Sequence, residues 1–212
     1  MFVRSIGQRI YRRMLIKMGH NSHLRQEFYS NPRYWQSWVN ETGFRLYKAI
    51  IQLMEKHELS CNGKHIADIG CGTGHLLLKI RETFHPTSLT GTEINESAIA
   101  IARTTVPEAD IRYDNILETR IERKFDMVFC TEVLEHLLEA AKALEYLLAI
   151  TNSKGTIIVT VPNGRTDTFI GHVNFFSPES WDLFVKNNCQ KHVVHTGLLP
   201  NCAKLFAIIE LS

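Results

Sequence analysis

From residue 64 onward, short β-rich runs alternate with stretches of helical periodicity, and this alternation constrains the fold more than any other feature. Seven runs are predicted as strands: residues 65–70, 88–94, 109–115, 125–133, 155–161, 192–196 and 205–211. Between the first five, apolar residues recur every three or four positions, which is typical of amphipathic helices. Alternating strands and helices predict an α/β fold with a mainly parallel sheet and helices on both faces. The short link between the last two runs favours an antiparallel final pair.

The 212 residues suit one domain, and their charge is divided unevenly along the chain. Residues 1–60 hold 10 basic and 4 acidic side chains, whereas residues 61–212 hold 14 basic and 18 acidic ones. Because the larger part has no basic stripe, nucleic acid is disfavoured as a partner. Five scattered cysteines without CxxC spacing indicate neither a zinc site nor a disulfide framework, and they favour a cytoplasmic protein.

The N-terminal part has a pattern of its own, and we expect residues 1–60 to form a helical extension. An apolar stripe over residues 34–57 predicts one long helix there. Residues 1–18 combine a second apolar stripe with basic side chains, some of which fall inside the stripe. We favour a basic helix packed loosely on the domain, with weak contact to a membrane surface as the alternative.

The first strand runs into a glycine loop, His65-Ile-Ala-Asp-Ile-Gly-Cys-Gly-Thr-Gly-His75. Ligands of open α/β sheets bind beyond the carboxyl ends of the strands, and the glycines let the backbone approach such a ligand closely. The G-x-G-x-G spacing differs from the dinucleotide-binding G-x-G-x-x-G and from the P-loop, which disfavours a nicotinamide-dependent oxidoreductase. Asp68 precedes the first glycine, and a carboxylate there suits a ligand with a positive group better than a phosphate.

Two further acids stand at the ends of the next two strands. Glu93 stands at the end of the second strand, where a carboxylate can accept hydrogen bonds from both hydroxyls of a ribose. Asp114 stands at the end of the third strand, where a carboxylate can accept a hydrogen bond from an exocyclic amine. In the alternative interpretation, Glu93 caps the helix that begins near Asn95, and Asp114 caps a turn. Three acids at the ends of three successive strands favour a ligand site.

Together with the segment Cys130-Thr-Glu-Val-Leu-Glu-His136, these residues resemble the class I S-adenosylmethionine-dependent methyltransferases, in particular the ubiquinone-pathway O-methyltransferase-like branch. The resemblance implies a Rossmann-like, seven-stranded, mostly parallel sheet with an antiparallel last strand. It implies S-adenosyl-L-methionine as the cofactor of a methyltransferase domain over residues 61–212, with residues 1–60 and their Tyr34, Trp35 and Trp38 as a lid. The cofactor-binding residues that it implies are Asp68, Gly70, Cys71, Gly72, Glu93, Ile94, Asp114, Asn115, Ile116, Cys130 and Thr131.

Candidates for the chemistry lie in two segments. If a helix starts at Glu132, then Glu132, Glu135 and His136 share one face, and such a set suits Mg, Mn or Zn. The alternative is a pair of helix N-terminal acids favoured by the helix dipole, beside a hydrogen-bonded histidine. The run resembles that of ubiquinone-pathway and small-RNA 2′-O-methyltransferases, in which these acids and the histidine hold a metal. His172, in the long segment after the fifth strand, is a candidate further ligand or general base, with His136 as the other catalytic candidate. The alternative for His172 is a loop histidine packed against aromatic rings.

The leading functional hypothesis is O-methylation of a small-molecule or lipid-like acceptor by in-line methyl transfer. One alternative is an RNA 2′-O-methyltransferase that uses a divalent metal. The other is a methyltransferase-like module that binds the cofactor without catalysis. The sequence leaves open the acceptor, the methylated atom and the oligomeric state.

Overall fold

The protein is described by a computed structural model covering residues 41–118, 122–169 and 171–212. In chain order the elements of these ranges are α1 (Glu41–Lys56), β1 (His65–Ile69), α2 (His75–Thr83), β2 (Ser88–Glu93), α3 (Glu96–Thr105), β3 (Asp110–Tyr113), β4 (Phe125–Thr131), a 3-10 helix (Leu134–His136), α4 (Ala140–Ala149), β5 (Thr151–Pro162), α5 (Pro178–Asn188), β6 (Val193–Leu198) and β7 (Lys204–Glu210). All seven predicted strands are confirmed, and their ends shift by a few residues.

The seven strands form one sheet in the order β3-β2-β1-β4-β5-β7-β6. Strands β1 to β5 pair in parallel, whereas β7 lies between β5 and β6 and is antiparallel to both. This arrangement confirms the expected mostly parallel sheet with an antiparallel last strand. Strand β1 is flanked by β2 on one side and β4 on the other, so the chain leaves β1 and β4 in opposite directions. A crevice opens at such a switch point, and ligands of open α/β sheets bind there.

Two apolar clusters fill the two faces of the sheet, as the alternation of strands and helices predicts. On one face Ile50 of α1, Leu77 of α2 and Ile99 of α3 belong to a single buried cluster. On the other face Leu144 of α4 and Trp181 of α5 belong to the second cluster. Helix α1 therefore packs into the same core as α2 and α3, and its apolar stripe is buried against the sheet.

The start of α5 shows how the sequence sets a local boundary. Ser177 is the N-cap, and its hydroxyl accepts a hydrogen bond from the Ser180 amide at 3.2 Å. The Ser180 hydroxyl accepts one in return from the Ser177 amide at 2.8 Å, and Pro178 occupies the first helical position. Reciprocal capping satisfies amides that the helix leaves unpaired, so the predicted helix start at Ser177 is confirmed.

The predictions for the N-terminal part reach beyond the described residues. The expected helix over residues 34–57 is seen as α1 from Glu41 onward. Residues 1–18 and the lid candidates Tyr34, Trp35 and Trp38 lie outside the described residues. Within the described ranges, no helix has both the length and the apolar character that crossing a bilayer requires.

Candidate functional site

The glycine loop makes a tight turn at the carboxyl end of β1. Gly70, Gly72 and Gly74 have φ angles of 79°, 52° and 78°, which side chains rarely adopt. The amides of Gly70 and Cys71 both donate to the Thr92 carbonyl, at 2.8 and 2.9 Å, and this fastens the loop to β2. A Cβ on Gly70 would lie 2.4 Å from Cγ2 of Val133. The loop is therefore pressed against the segment that follows β4, directly at the switch point.

Asp68 has a buried carboxyl group, one oxygen of which lacks a hydrogen-bond partner among the described residues. Its side chain is 1% exposed, and within the described residues its Oδ1 has no hydrogen-bond partner. Burial, followed by the negative charge of Glu93, raises the pKa of Asp68 to about 8. An uncompensated buried carboxylate is costly, and a cationic group beside it relieves that cost.

Glu93 connects the glycine loop to the start of α3. Its carboxylate accepts hydrogen bonds from the amides of Gly72 at 3.0 Å, Ile94 at 2.8 Å and Asn95 at 3.0 Å. Burial raises the pKa of Glu93 in spite of these three bonds, which act in the opposite direction. The N-cap of α3 is Asn95, whose side chain accepts from the Ala98 amide. Glu93 thus organises both loops, and its two oxygens retain lone pairs for further donors.

The predicted residues after β3 lie at the same edge of the sheet. Both carboxylate oxygens of Asp114 are buried, and neither has a hydrogen-bond partner among the described residues. Asn115 accepts from the Leu117 amide at 3.1 Å, and Ile116 is buried in the core. Ile94, after β2, is 51% exposed and thus offers an apolar surface to a ligand. Like Asp68, Asp114 therefore has a buried acceptor without a hydrogen-bond donor among the described residues.

The predicted cysteines and Thr131 have different surroundings. Cys71 packs into the cluster beneath the glycine loop, with its Sγ 2.8 Å from where a Cβ on Gly91 would stand. Cys130 of β4 is fully buried in the other cluster, and burial raises the pKa of its thiol well above the usual value. Thr131, the next residue, ends β4 and is half-buried. Only Thr131 of the three is accessible at the crevice.

The turn after β4 differs from the expected helix. Glu132 has a φ of 58°, in the left-handed region, and a 3-10 helix begins only at Leu134. The left-handed backbone takes Glu132 off the helical face that it was predicted to share with Glu135 and His136. Its carboxylate instead forms an ion pair with Lys204 of β7 and accepts from the Thr160 hydroxyl at 3.1 Å. The placement of Glu132 on one helical face is therefore wrong.

Glu135, His136 and His172 do meet, although His172 lies far along the chain. The Glu135 Oε1 is 3.9 Å from the Nε2 of each histidine, and the two imidazole centroids are 4.7 Å apart. One ligand atom from each residue lies within 4.8 Å of the others. Among the described residues they form the one group of three or more such side chains that is compact enough to hold a metal ion.

Four hydrogen bonds between the two segments bring His172 close to His136, and together we call them the clamp. The amides of Val173 and Asn174 donate to the Glu135 carbonyl at 2.8 and 3.0 Å. The Asn174 side chain donates to the carbonyls of Leu134 at 3.0 Å and Leu137 at 2.6 Å. Four hydrogen bonds therefore hold the segment after β5 against the 3-10 helix, across about 40 residues of sequence.

Glu135 supplies the carboxyl group of this cluster of three residues. It is 1% exposed, and within the described part of the chain neither carboxylate oxygen has a hydrogen-bond partner. Burial, followed by the charge of Glu132, raises the pKa of Glu135 well above its usual range. Two imidazole nitrogens and one buried carboxylate converge here, a donor set that suits a divalent metal or the transfer of a proton.

Three residues at the site were missed by sequence reasoning. Asp167 Oδ2 lies 2.6 Å from Nδ1 of His172, and Lys204 pairs with Glu132. Burial raises the pKa of Tyr47 of α1, and the negative charges of Asp68 and Glu132 raise it further. No local pattern marks these residues, because each reaches the site from an element or loop outside the quoted motifs.

Part of the chain matches a known family and curated relatives. Residues 67–157 match a family described as a methyltransferase domain. The ubiquinone biosynthesis O-methyltransferase of Coxiella burnetii (strain RSA 493 / Nine Mile phase I) is 26% identical over 144 residues, which are 64% of this chain and 61% of that protein. Trans-aconitate 2-methyltransferase of Escherichia coli (strain SE11) is 26% identical over 102 residues, or 48% of this chain and 40% of that enzyme. The chain thus spans about six-tenths of the length of the first of these relatives.

Solved structures share the fold at low identity. Magnesium protoporphyrin IX methyltransferase from Synechocystis PCC 6803, with bound S-adenosylhomocysteine, has a TM-score of 0.72 at 13% identity, covering 91% of this chain and 100% of that chain. The N-methyltransferase NodS from Bradyrhizobium japonicum WM9 has a TM-score of 0.70 at 18% identity, covering 91% and 99%. These likenesses establish the fold of the described sheet and its helices.

Proposed function

Since the chain carries a methyltransferase domain of the class I S-adenosylmethionine-dependent family, we propose that it transfers a methyl group from S-adenosylmethionine to an oxygen of a small-molecule or lipid-like acceptor. The observation that carries the proposal is the row of buried acids at the ends of β1, β2 and β3. S-adenosylmethionine bears an ammonium and a sulfonium but no phosphate, so its charge matches these acids. When bound, it supplies a methyl group carried on a sulfonium sulfur. Once the methyl group is transferred, the rest of the cofactor is a neutral thioether.

Each acid has a role that its surroundings suit. Asp68 would accept from the ammonium of the methionine part, since its buried Oδ1 lacks a partner within the described residues. Glu93 would accept from the ribose hydroxyls with the lone pairs left after its three amide bonds. Asp114 would accept from the exocyclic amine of the adenine, with Ile94 as an apolar surface against the ring.

The acceptor would lie on the other side of the crevice, beside the histidines. Oxygen acceptors lose a proton on methylation, and His136 or His172 would take it where no metal ion occupies its Nε2. The rings of Phe169 and Phe175 lie 4.8 and 6.3 Å from the His172 ring, and Leu138 is 62% exposed. Such a surface favours an aromatic or lipid-like acceptor over a strongly charged one. The name of the C. burnetii relative, an O-methyltransferase, supports oxygen as the methylated atom.

A divalent metal at Glu135, His136 and His172 is part of the proposal. The residues fit such an ion, because both Glu135 oxygens are buried and lack a hydrogen-bond partner among the described residues. Two imidazoles favour Mn or Zn over Mg, which prefers oxygen ligands. A bound metal would lower the pKa of an acceptor hydroxyl. Glu132 would stay outside the set, because Lys204 already neutralises it.

We further propose that residues 1–60 act as an extension over the site and that the protein works in the cytoplasm. Support for the first comes from Tyr47 of α1, whose phenol is influenced by Asp68 and Glu132. Support for the second comes from Cys61, Cys71, Cys130, Cys189 and Cys202, which are all free thiols.

Calorimetry of the full chain with S-adenosylhomocysteine, and separately with NAD, tests the cofactor. We expect binding of the first alone, and a loss of at least about tenfold in affinity in the Asp68→Asn variant. Asp110→Asn is the matched control, since Asp110 is exposed at the start of β3. Binding of NAD without S-adenosylhomocysteine would contradict the proposal.

Methyl transfer is measured with tritiated S-adenosylmethionine and 3,4-dihydroxybenzoate or an alkyl gallate as hydroxyl acceptors. Chelation with EDTA and the Glu135→Ala variant test the metal, and we expect both to abolish transfer. Transfer that is unchanged in both would leave the methyltransferase proposal intact and remove the metal from it.

A further inference from the structure

His172 is held at the ring nitrogen that faces away from the cluster. Its Nδ1 lies 2.6 Å from Oδ2 of Asp167, while its Nε2 lies 3.9 Å from Oε1 of Glu135. The side chains of His172 and Asp167 are 10% and 8% exposed, so water competes little for this bond. One ring nitrogen is thus committed to Asp167, and the other faces Glu135 and His136.

We propose that Asp167 is a positioning residue that keeps His172 in the Nδ1–H tautomer, with the Nε2 lone pair directed into the space that it shares with Glu135 and His136. A carboxylate only accepts hydrogen bonds, so its partner nitrogen must carry the proton. In the neutral ring the lone pair then sits on Nε2. The inference rests on the proposed function, since it assigns a purpose to the nitrogen that faces Glu135.

Asp167 is itself held in place. Its Oδ1 accepts from the Phe169 amide at 3.1 Å, and its own amide donates to the Asn163 carbonyl at 2.9 Å. The Phe169 ring, 4.8 Å from the His172 ring, limits rotation of the imidazole. The carboxylate is therefore a fixed acceptor at a fixed distance, which is what orientation of a partner ring requires.

His136 is oriented in the same way as His172, but its hydrogen-bond acceptor is a backbone carbonyl. Its Nδ1 lies 3.4 Å from the Gly171 carbonyl, and a carbonyl likewise accepts only. A Cβ on Gly171 would lie 2.4 Å from the Phe169 ring, so this backbone approach depends on glycine. Two unrelated acceptors thus direct both Nε2 atoms toward the same oxygen of Glu135. Two separate hydrogen bonds thus orient both rings in the same way, which indicates a preorganised site.

The tautomer is tested by long-range proton–nitrogen NMR of the full chain, at a pH where the ring is neutral. We expect wild-type His172 to carry its proton on Nδ1 and the Asp167→Ala variant to shift the proton toward Nε2. Asp167→Glu, which retains an acceptor, should keep it on Nδ1. Asp182→Ala is the matched control, because Asp182 bonds Thr196 and Lys186 at the surface of α5. A wild-type ring protonated on Nε2 would overturn the inference.

Kinetics with 3,4-dihydroxybenzoate give the second readout. Loss of an outer partner of this kind lowers activity about 10–100-fold, so kcat of Asp167→Ala should fall by that factor while its affinity for S-adenosylhomocysteine stays unchanged. Asp167→Glu should recover part of kcat. Wild-type kcat in Asp167→Ala would overturn the inference. If Asp167→Ala does not fold, the tautomers of the wild type and Asp167→Glu decide. Failure of the proposed function is seen separately, as wild-type protein that does not bind S-adenosylhomocysteine.

Discussion

Two edges of the crevice differ in how their buried charges are compensated, with Glu135 as the one acid of the second edge that resembles those of the first. The glycine-loop edge consists of Asp68, Glu93 and Asp114 with the loop over residues 70–74. The histidine edge consists of Glu132, Glu135, His136, Asp167, His172, Asn174 and Lys204. At the first edge, buried carboxylate oxygens of Asp68 and Asp114 lack partners within the described residues. At the second, Lys204 neutralises Glu132, and His172 bonds Asp167.

Because of this difference, we expect substitutions at the two edges to affect ligand binding and stability differently. Unpaired buried acids reduce the stability of the ligand-free fold, and removing one partner of a buried pair creates such an unpaired group. Substitutions of the paired groups at the histidine edge should therefore destabilise the protein. Conservative substitutions of Asp68 and Asp114 should spare or even stabilise the ligand-free fold and weaken ligand binding.

The largest effect is expected for Lys204→Met, which leaves Glu132 buried and unpaired. Lys204 is 20% exposed and Glu132 6%. Burial lowers the pKa of Lys204, but Glu132, Glu135 and Asp167 together raise it above its usual value. Breaking a buried ion pair costs about 3–5 kcal/mol, and we expect the lower end for this partly accessible one. Urea denaturation measures the loss, with the surface residue Lys186→Met as control. A loss below about 0.5 kcal/mol would show that the histidine edge is not stabilised by this pair.

A smaller loss is expected for Asn174→Ala, which removes two hydrogen bonds of the clamp. The carbonyls of Leu134 and Leu137 would lose their side-chain donor, at a cost of about 1–3 kcal/mol. Thermal or urea denaturation measures it. Asn188→Ala removes an exposed bond to the Phe184 carbonyl and serves as the control. Equal stability of the two variants would contradict a specific role for the clamp.

At the glycine-loop edge, Asp68→Asn is expected to raise the stability of the ligand-free protein near pH 8 rather than to lower it. Because burial and Glu93 raise the pKa of Asp68 to about 8 from an ordinary value of 3.8, the folded chain holds a proton that the unfolded chain has released. Stability of the ligand-free protein therefore falls as pH rises from about 4 to about 8. The variant should lack this part of the decline and be the more stable protein near pH 8. Urea denaturation at about pH 5 and about pH 8 measures the difference between the two proteins. Parallel pH profiles would contradict the prediction.

The smallest change in stability is expected for Asp114→Asn, which keeps the shape of a side chain that has no partner to lose among the described residues. The free energy of unfolding should stay within about 0.5 kcal/mol of the wild type, which is ordinary for a change without a broken contact. Affinity for S-adenosylhomocysteine should fall about tenfold, the value of one hydrogen bond to a charged group. Calorimetry and denaturation of the same sample separate the two effects. Unchanged affinity would remove Asp114 from the ligand site.

The glycine-loop edge could be predicted because its signals are local. Asp68 lies next to the end of β1, the glycines follow that strand directly, and Glu93 ends β2, so strand periodicity alone puts them at one edge of a parallel sheet. The histidine edge was predicted only in part. Sequence reasoning named Glu135, His136 and His172 but put Glu132 on the same helical face, because it did not anticipate the left-handed backbone at Glu132.

The sequence by itself determined the seven strands, their mostly parallel arrangement, the glycine loop and the acids at the strand ends. These features depend on spacing within a few residues, which hydrophobic periodicity and turn residues encode. Only the tertiary structure decided which side chains meet at the histidine edge. Glu132 pairs with Lys204 across 72 residues, and Asn174 bonds the turn about 40 residues before it. Such contacts follow from how β7 and the loop after β5 return to the crevice, and no local pattern specifies them.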